Sequence, residues 1–336
     1  MAVNVGVIGL GYWGPNIVRN LNEIEGCRVT KACDVKPGRL KFIGSRYPHI
    51  DVTSEYKEIL KDDSIDAVCI VTPVSTHFGL AKEALLSRKD VFVEKPLARF
   101  TREAEELIEI SEREDRILMV GHIFEYSPAV LQMKQMIEEE EIGDILYIDS
   151  SRINLGPPAS EVSVIWDLVP HDLSIIFYLT EAEPQEVSAI AHSYVKKTVA
   201  EMAYITVKFD GDLLGHIHVS WLAPCKLRRT HVIGSRKVIV FDDTESVEKV
   251  KVFNEGYDTR VNTDNFGEFQ LTYTRGDIYS PRLDNHEPLR IECEHFIESV
   301  SNRTRPKTDG QDGLRVVKVL ELAEKSVRNN GAWQKV

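Results

Sequence analysis

Apolar positions in the first 120 residues come in short runs separated by helical repeats. Residues 3–8 form a β-rich run, and a glycine-rich turn then leads into a helical pattern over 15–25. The pattern predicts a second strand at 28–34 and a helix at 39–46. Residues 66–71 are nearly continuous in apolar character (Ala67, Val68, Cys69, Ile70, Val71), as a parallel strand buried on both faces should be. Helix, strand, helix and strand follow at 76–87, 90–93, 101–114 and 117–120, with Thr101 expected as the N-cap of its helix. Alternation of this kind predicts an α/β domain with a doubly wound parallel sheet.

After about His122 the pattern changes. One more helix is predicted at 129–141, followed by β-rich stretches at 145–153, 184–194, 202–210, 213–221, 230–241 and 247–252. Within 202–210, Ala203, Ile205, Val207 and Phe209 share an apolar face, while Tyr204, Thr206 and Lys208 share the other. Together these stretches predict a large, mostly antiparallel, open-faced sheet in a C-terminal α+β domain. An open face of that kind suits assembly into a homodimer or homotetramer. Residues 254–278 are polar and read as loop with short strands, and helices are expected at 287–301 and 310–329. The boundary is placed between a first domain at 1–124 and a second at 125–336, whose final helices can pack back on the first.

The formal net charge of −12 disfavours partners that need basic surface, nucleic acid and anionic membrane among them. It leaves room for a small-molecule substrate held by a few local cations. No apolar run reaches the length of a membrane span. The N-terminus enters an apolar strand with no basic stretch ahead of it, so a cytoplasmic protein is expected. Cys27, Cys33, Cys69, Cys225 and Cys293 are scattered without a CxxC pair, which reads as small hydrophobes rather than disulfides or a metal site. Abundant Glu and Lys is a composition also found in thermophiles.

Gly9, Gly11 and Gly14 form GxGxxG after the first strand and before the first helix, the context a dinucleotide-binding loop requires. The helix N-terminus there would face a pyrophosphate with its unpaired N–H groups. Asp34 stands 20 residues after Gly14, at the end of the second strand. A carboxylate at that place accepts from ribose hydroxyls and repels a 2′-phosphate, which favours NAD. Lys36 and Arg39 nearby keep NADP as the alternative. Glu94, Lys95 and Pro96 follow the strand at 90–93, and Thr72 and Pro73 end the preceding strand with His77 close behind. These are carboxyl ends of parallel strands, where ligands bind in such sheets. A lysine there can stabilise an alkoxide. Asp167 and His171 are spaced i, i+4, so on a helix they share a face.

With GxGxxG ahead of them, Glu94-Lys95-Pro96-Leu97-Ala98 and Asp167-Leu168-Val169-Pro170-His171-Asp172 resemble the signatures of the glucose–fructose oxidoreductase / inositol dehydrogenase (Gfo/Idh/MocA) family. The resemblance runs from Gly9 to the final helices. It implies an NAD-dependent oxidoreductase in which Lys95 polarises the reacting hydroxyl, His171 is base in oxidation and acid in reduction, and Asp167 binds substrate. The cofactor would be held by Gly9, Gly11, Tyr12, Trp13, Gly14, Asp34, Thr72, Pro73, His77, Glu94 and Lys95, with no metal required. A cis Lys95–Pro96 peptide is implied as well. Arg152 and Asn154 fall where inositol dehydrogenases bind substrate. Arg152 replaces their His, which suits an anionic substrate. The segment from Asp277 through Glu287-Pro288-Leu289 resembles that of a nucleotide-sugar subgroup, the UDP-N-acetylglucosamine 3-dehydrogenases and their relatives. That implies oxidation of a sugar C3 hydroxyl on a UDP-N-acetylhexosamine or its uronate.

Other positions carry weaker signals. Lys226, Arg228 and Arg229 read either as a solvated loop or as a diphosphate clamp, with Arg229 the candidate ligand. His122, with Glu125 and Tyr126 after it, is placed at the domain junction as a candidate substrate contact. Tyr279 and His286 are further candidates for the cleft. His216 and His218 share a strand face and read as packing or a subunit interface. Three rival functions remain: an inositol or free-sugar dehydrogenase of the family, a glycoside hydrolase that oxidises C3 transiently with retained NAD, and an inactive NAD-binding regulator. Intact Lys95, Asp167 and His171 argue against the last.

Overall fold

The computed structural model describes residues 2–156, 162–257, 273–274 and 276–336. Much of the loop expected at 254–278 lies outside these. The chain divides into two compact units, one of Met1–Tyr126 with His286–Lys318 and one of Ser127–Asn285 with Val319–Val336.

In the first unit, strands β1 (Val3–Ile8), β2 (Cys27–Cys33), β3 (Asp51–Thr53), β4 (Ala67–Ile70), β5 (Asp90–Glu94) and β6 (Leu118–Gly121) pair in the order β3-β2-β1-β4-β5-β6. Every pairing is parallel. Helices α1 (Gly14–Asn22), α2 (Pro37–Arg46), α3 (Tyr56–Leu60), α4 (Val74–Leu86) and α5 (Thr101–Arg113) link them. The strand order reverses between β1 and β4, the crevice where ligands bind in doubly wound sheets. β4 is buried throughout, as its continuous apolar run requires. Thr101 is the first residue of α5, whose N-cap is Phe100, so the predicted cap is one residue late.

The second unit contains α6 (Pro128–Glu138), β7 (Ile145–Leu155), α7 (Val164–Thr180), β8 (Pro184–His192), β9 (Met202–Phe209), β10 (Leu214–Ser220), β11 (Leu222–Gly234), β12 (Val238–Asp242) and β13 (Val250–Phe253). A separate two-stranded ladder pairs β14 (Gly256–Tyr257) with β15 (Tyr273–Thr274). The large sheet has nine strands in the order β16-β13-β12-β11-β7-β10-β9-β8-β17, where β16 is Ile278–Tyr279 and β17 is Gln334–Lys335. It is antiparallel apart from the β10–β7 pair. The stretch predicted as one strand at 230–241 is a hairpin. Gly234 and Lys237 close its turn, the Gly234 N–H donating to the Lys237 carbonyl at 3.0 Å.

Alternation in β9 holds: Ala203, Ile205, Val207 and Phe209 are buried. α7 covers this inner face, with Phe177 edge-on to Phe209 at 6.0 Å between ring centroids. On the outer face Tyr204 stacks on His218 at 4.4 Å and on His216 at 6.0 Å.

The last two helices are α8 (Pro288–Asn302) and α9 (Gly310–Arg328). α8 and the start of α9 belong to the first unit. Leu289, Cys293, Phe296, Ile297 and Val300 of α8 join the core that contains Val5, Ile17, Cys69 and Phe92. The cysteines are unpaired, and Cys33, Cys69 and Cys293 are buried as small hydrophobes while Cys225 is exposed. Among the described residues no helix is long and apolar enough to cross a membrane.

Phe296 ties α8 to the sheet, its ring centroid 5.7 Å from that of Phe92. Both rings are almost wholly buried. Phe296→Ala should therefore cost about 3–5 kcal/mol in denaturant unfolding of the first unit. A loss below about 1 kcal/mol would show that α8 is held by other contacts.

Candidate active site

The first unit gathers its polar groups along the carboxyl edge of the parallel sheet. The turn after β1 cannot carry side chains at two of its glycines. A Cβ on Gly9, whose φ is +97°, would lie 2.4 Å from the Val71 carbonyl oxygen. One on Gly14 would lie 2.2 Å from the Gly9 carbonyl oxygen. At Gly11 the nearest atoms to a Cβ are those of the Arg39 guanidinium, at 3.8 Å and beyond. The loop is thus packed tightly at its ends and open at its middle, which fits a pyrophosphate approaching the N-terminus of α1. Tyr12 and Trp13 stand exposed at the tip, edge-on at 5.7 Å.

Asp34 anchors this loop to the end of β2. Its Oδ2 accepts from the Leu10 N–H at 2.8 Å and from Arg39 at 3.0 Å, and its Oδ1 accepts from the Lys36 N–H at 2.8 Å. Burial pushes the carboxyl up, but these donors outweigh it and hold its pKa below the ordinary aspartate value. It is therefore an anion under all physiological conditions, beside the open middle of the glycine loop. Those properties suit a ribose diol better than a phosphate.

Thr72 and Pro73 lead from β4 into α4, with Thr72 half-buried and Pro73 exposed. His77 does not present its ring to a ligand. It is buried, with one ring nitrogen 2.8 Å from the Pro96 carbonyl and the other 2.8 Å from the Thr72 carbonyl. It braces the loops that leave β4 and β5. The Lys95–Pro96 peptide is cis. The Lys95 N–H donates to Glu94 Oε2 at 3.2 Å.

His122 leaves the end of β6 and is 1% exposed. Its Nδ1 lies 2.5 Å from Asp312 Oδ2 and 3.6 Å from Glu125 Oε1. Burial would lower its pKa, but the charge and hydrogen bond of Asp312, with Glu125 behind them, push it up to about 10. A substrate contact by this ring was expected from its place after β6. In the structure it is bound by a carboxylate from α9.

In the second unit Asp167 and His171 both lie in α7, whose course over Pro170 the strand-rich reading of this region omitted. Pro170 offers no N–H to the Trp166 carbonyl, four residues back. The two arginines expected to meet the substrate both have carboxylate partners. Arg152 is 3% exposed and its fork is taken by Asp172, Nε donating to Oδ2 at 2.9 Å and Nη2 to Oδ1 at 3.1 Å. Ser150 also donates to this carboxylate, at 2.8 Å. Arg229 is engaged by Asp242 through Nε at 3.0 Å and Nη2 at 2.7 Å. Arg228 donates to Asp243 at 3.1 Å. Neither Arg152 nor Arg229 is thus an unopposed cation for a diphosphate. Asn154 is half-buried on β7, Lys226 and His286 are exposed, and Tyr279 donates its hydroxyl to Glu141.

Residues 3–122 match the family model described as an oxidoreductase family with an NAD-binding Rossmann fold, and residues 130–240 match the GFO/IDH/MocA C-terminal domain. The chain belongs to the Gfo/Idh/MocA oxidoreductase family, and it is an enzyme that uses NAD. It is 27% identical to the scyllo-inositol 2-dehydrogenase (NAD(+)) of Bacillus subtilis, the match covering 97% of this chain and 94% of that one. It is 26% identical to the UDP-N-acetylglucosamine 3-dehydrogenase of Acidithiobacillus ferrooxidans over 75% of this chain and 76% of that one. A crystal structure of that enzyme superposes with a TM-score of 0.83, covering 98% of both chains at 24% identity. The scyllo-inositol dehydrogenase of Lactobacillus casei, solved with NAD(H) and scyllo-inositol, superposes at 0.81 over 100% of this chain and 99% of that one, at 20% identity.

Arg152 and Asp172 form a buried pair, so removing one partner strands the other's charge. Arg152→Ala should cost about 3–5 kcal/mol in chemical unfolding. The paired change to Met at Arg152 and Leu at Asp172 should recover most of that loss. A stable, soluble Arg152→Ala protein with an unshifted midpoint would show that the pair does not hold β7 to α7.

Proposed function

We propose that the chain oxidises a secondary hydroxyl, the sugar C3 hydroxyl, of a UDP-N-acetylhexosamine or its uronate, with NAD as hydride acceptor. The observation that carries the dehydrogenase reading is the alignment of the glycine loop, Asp34 and Lys95 along one edge of a single parallel sheet. The nucleotide-sugar reading is supported by the 26% identity to the UDP-N-acetylglucosamine 3-dehydrogenase over 75% of this chain. The reading of an inositol or free-sugar dehydrogenase is favoured by a different observation. Asp172 and Asp242 neutralise the two arginines that a diphosphate would have used.

Oxidation removes a hydride from carbon and a proton from oxygen. NAD, when bound, supplies the hydride acceptor. In this proposal Lys95 donates to the hydroxyl oxygen and stabilises its developing negative charge. An imidazole ring nitrogen of His171 accepts the proton and returns it in the reverse direction. Asp167, one helical turn before His171 on α7, orients the substrate. Ser150, Arg152 and Thr230 act on this machinery indirectly, by fixing the Asp172 carboxylate that follows His171 in the helix. The open sheet face around Tyr204, His216 and His218 is the proposed surface for a dimer or tetramer.

NADH absorbance recorded across UDP-N-acetylglucosamine, its uronate, scyllo-inositol, myo-inositol and aryl N-acetylhexosaminides separates the readings. The proposal expects turnover with the UDP-sugars and inhibition by UDP. If inositols alone are oxidised, or if aryl glycosides are cleaved without net NADH, the nucleotide-sugar reading fails. Asp34→Ala should weaken NAD binding in calorimetry and narrow its preference over NADP. Tighter binding of NADP than NAD by the natural protein would overturn the role given to this carboxylate. His171→Ala should slow single-turnover hydride transfer by about 10²–10⁴ while leaving NAD affinity nearly intact. Near-normal transfer by that variant would assign the proton to another group.

A further inference from the structure

The segment that joins β10 to β11 arches over the carboxyl end of β7. Ser220, the last residue of β10, pairs with Ile153 of β7 from one side, and Leu227 of β11 pairs with the same residue from the other. β11 also pairs through Leu222 with Leu155, so the five steps from Leu222 to Leu227 stand opposite the two from Leu155 to Ile153. A bulge of that size gives up ladder hydrogen bonds and re-aims the side chains it carries, a device common beside active sites. The arch is nevertheless pinned. The Gly156 N–H donates to the Trp221 carbonyl at 2.9 Å, and the Leu222 N–H donates to Ser220 Oγ at 3.1 Å. Trp221 is buried, its Cδ1 3.0 Å from where a Gly156 Cβ would stand, and Asn154 Nδ2 is 3.2 Å from the same point. Pro224, Cys225 and Lys226 of the arch are exposed.

α7 runs beside this end of β7. Its Asp172 is fastened to Ser150 and Arg152, and its Val164 N–H donates to the Ala200 carbonyl at 2.9 Å. The next residue, Glu201, accepts from the Trp221 N–H through its carbonyl at 2.9 Å. Helix from Val164 to Asp172 rises about 12 Å, and strand from Arg152 to Gly156 rises about 13 Å. The turn that carries Asp167 and His171 is therefore level with Asn154 and with the arch. Alternation along β11 buries Thr230 and Val232. Carried back through Arg228, it puts position 226 on the same face of the sheet, the one that α7 covers.

The three arginines of β7 and β11 each have a carboxylate: Arg152 has Asp172, Arg228 has Asp243 and Arg229 has Asp242. Lys226, two residues before Arg228, has no hydrogen-bond or ion-pair partner among the described residues. The fold thus neutralises the cations that shape the sheet and leaves unopposed the one that stands on the bulge. An ammonium is a compact charge with three donors, which suits a phosphate oxygen approached from varied directions.

We propose that Lys226 and Asn154 form the subsite for the diphosphate of the substrate, with Lys226 Nζ meeting a phosphate oxygen and Asn154 Nδ2 donating beside it. The inference rests on the nucleotide-sugar reading. It supplies the cation that Arg152 and Arg229, held by their carboxylates, do not.

The test is calorimetry on the NAD-loaded full chain, with UDP as the probe. Lys226→Gln should raise the UDP dissociation constant about tenfold or more. Lys226→Arg should keep part of the affinity. The side chain is exposed and unpartnered, so the thermal midpoint of Lys226→Gln should not move, and lost binding cannot be put down to unfolding. Lys197→Gln removes the same charge from the exposed loop between β8 and β9 and should leave UDP binding as it is. In turnover, Lys226→Gln should raise KM for a UDP-sugar by a similar factor at unchanged kcat, the mark of binding lost equally from ground and transition states. UDP-N-acetylglucosamine and its uronate should suffer equally; a rise confined to the uronate would show that the lysine meets the sugar carboxylate and would overturn the proposal. An equal loss in Lys197→Gln would also overturn it, since any surface charge would then serve. Unchanged UDP affinity in Lys226→Gln overturns the subsite while the nucleotide-sugar reading stands. If the natural protein does not bind UDP at all, both fall together, and the NADH assay with inositols shows it.

Discussion

The close approach of β1, the glycine turn and the loop after β4 is the constraint on which the first unit depends. Gly9 sits against the Val71 carbonyl and Gly14 against that of Gly9, and neither contact leaves space for a methyl group. Because both sites are closed, α1 starts immediately behind β1 with its unpaired N–H groups aimed past the sheet edge. The same closeness lets Asp34, at the end of a neighbouring strand, reach the Leu10 N–H. One carboxylate therefore does two things. It satisfies a buried backbone donor in the turn, and it lays a fixed negative charge beside the place where a ribose would sit. In the proposed reading, cofactor selection is built on the group that also holds the turn in shape.

The parallel sheet converts sequence separation into spatial order. All its strands run the same way, so Asp34, Thr72, Lys95 and His122, each just past a strand end, fall along one edge. That is why the first unit could be read so fully from the chain. A parallel strand buried on both faces is continuously apolar, and the residue after it is placed by topology alone. The second unit was less legible for the opposite reason. Its strands alternate, so their edges are ambiguous, and a hairpin turn built from Gly234 to Lys237 hides inside what looks like one long strand. α7 was obscured by its own composition. Buried nearly all round and interrupted by Pro170, it lacks the amphipathic stripe that marks a surface helix.

Charge pairing was the least legible feature. Arg152, Arg229 and His122 each stand where a ligand-binding group belongs, and each is taken up by a carboxylate from another element. Asp172 is 20 residues from Arg152, Asp242 is 13 from Arg229, and Asp312 is 190 from His122. No periodicity within a single helix or strand brings such partners together. A clue did exist in places where an ionisable residue interrupts an apolar face, as Glu292 does between Leu289 and Phe296 on α8.

These pairs also bear on what the enzyme can recognise. A guanidinium already bound through two hydrogen bonds to a buried carboxylate has little left to give a phosphate without stranding that carboxylate. Recognition of a diphosphate would then rest on Lys226, backbone N–H groups and neutral hydroxyl or amide side chains, with the arginines setting the shape of β7 and β11. A polyol asks less, since its hydroxyls can be met by neutral donors and acceptors such as Asn154. The fold thus commits two of its charged pairs to joining β7 to α7 and β11 to β12, and under the proposed function specificity would fall to the polar groups around them. Two enzymes on one framework could differ in substrate through those groups alone. That is consistent with inositol and nucleotide-sugar dehydrogenases matching this chain about equally well in sequence.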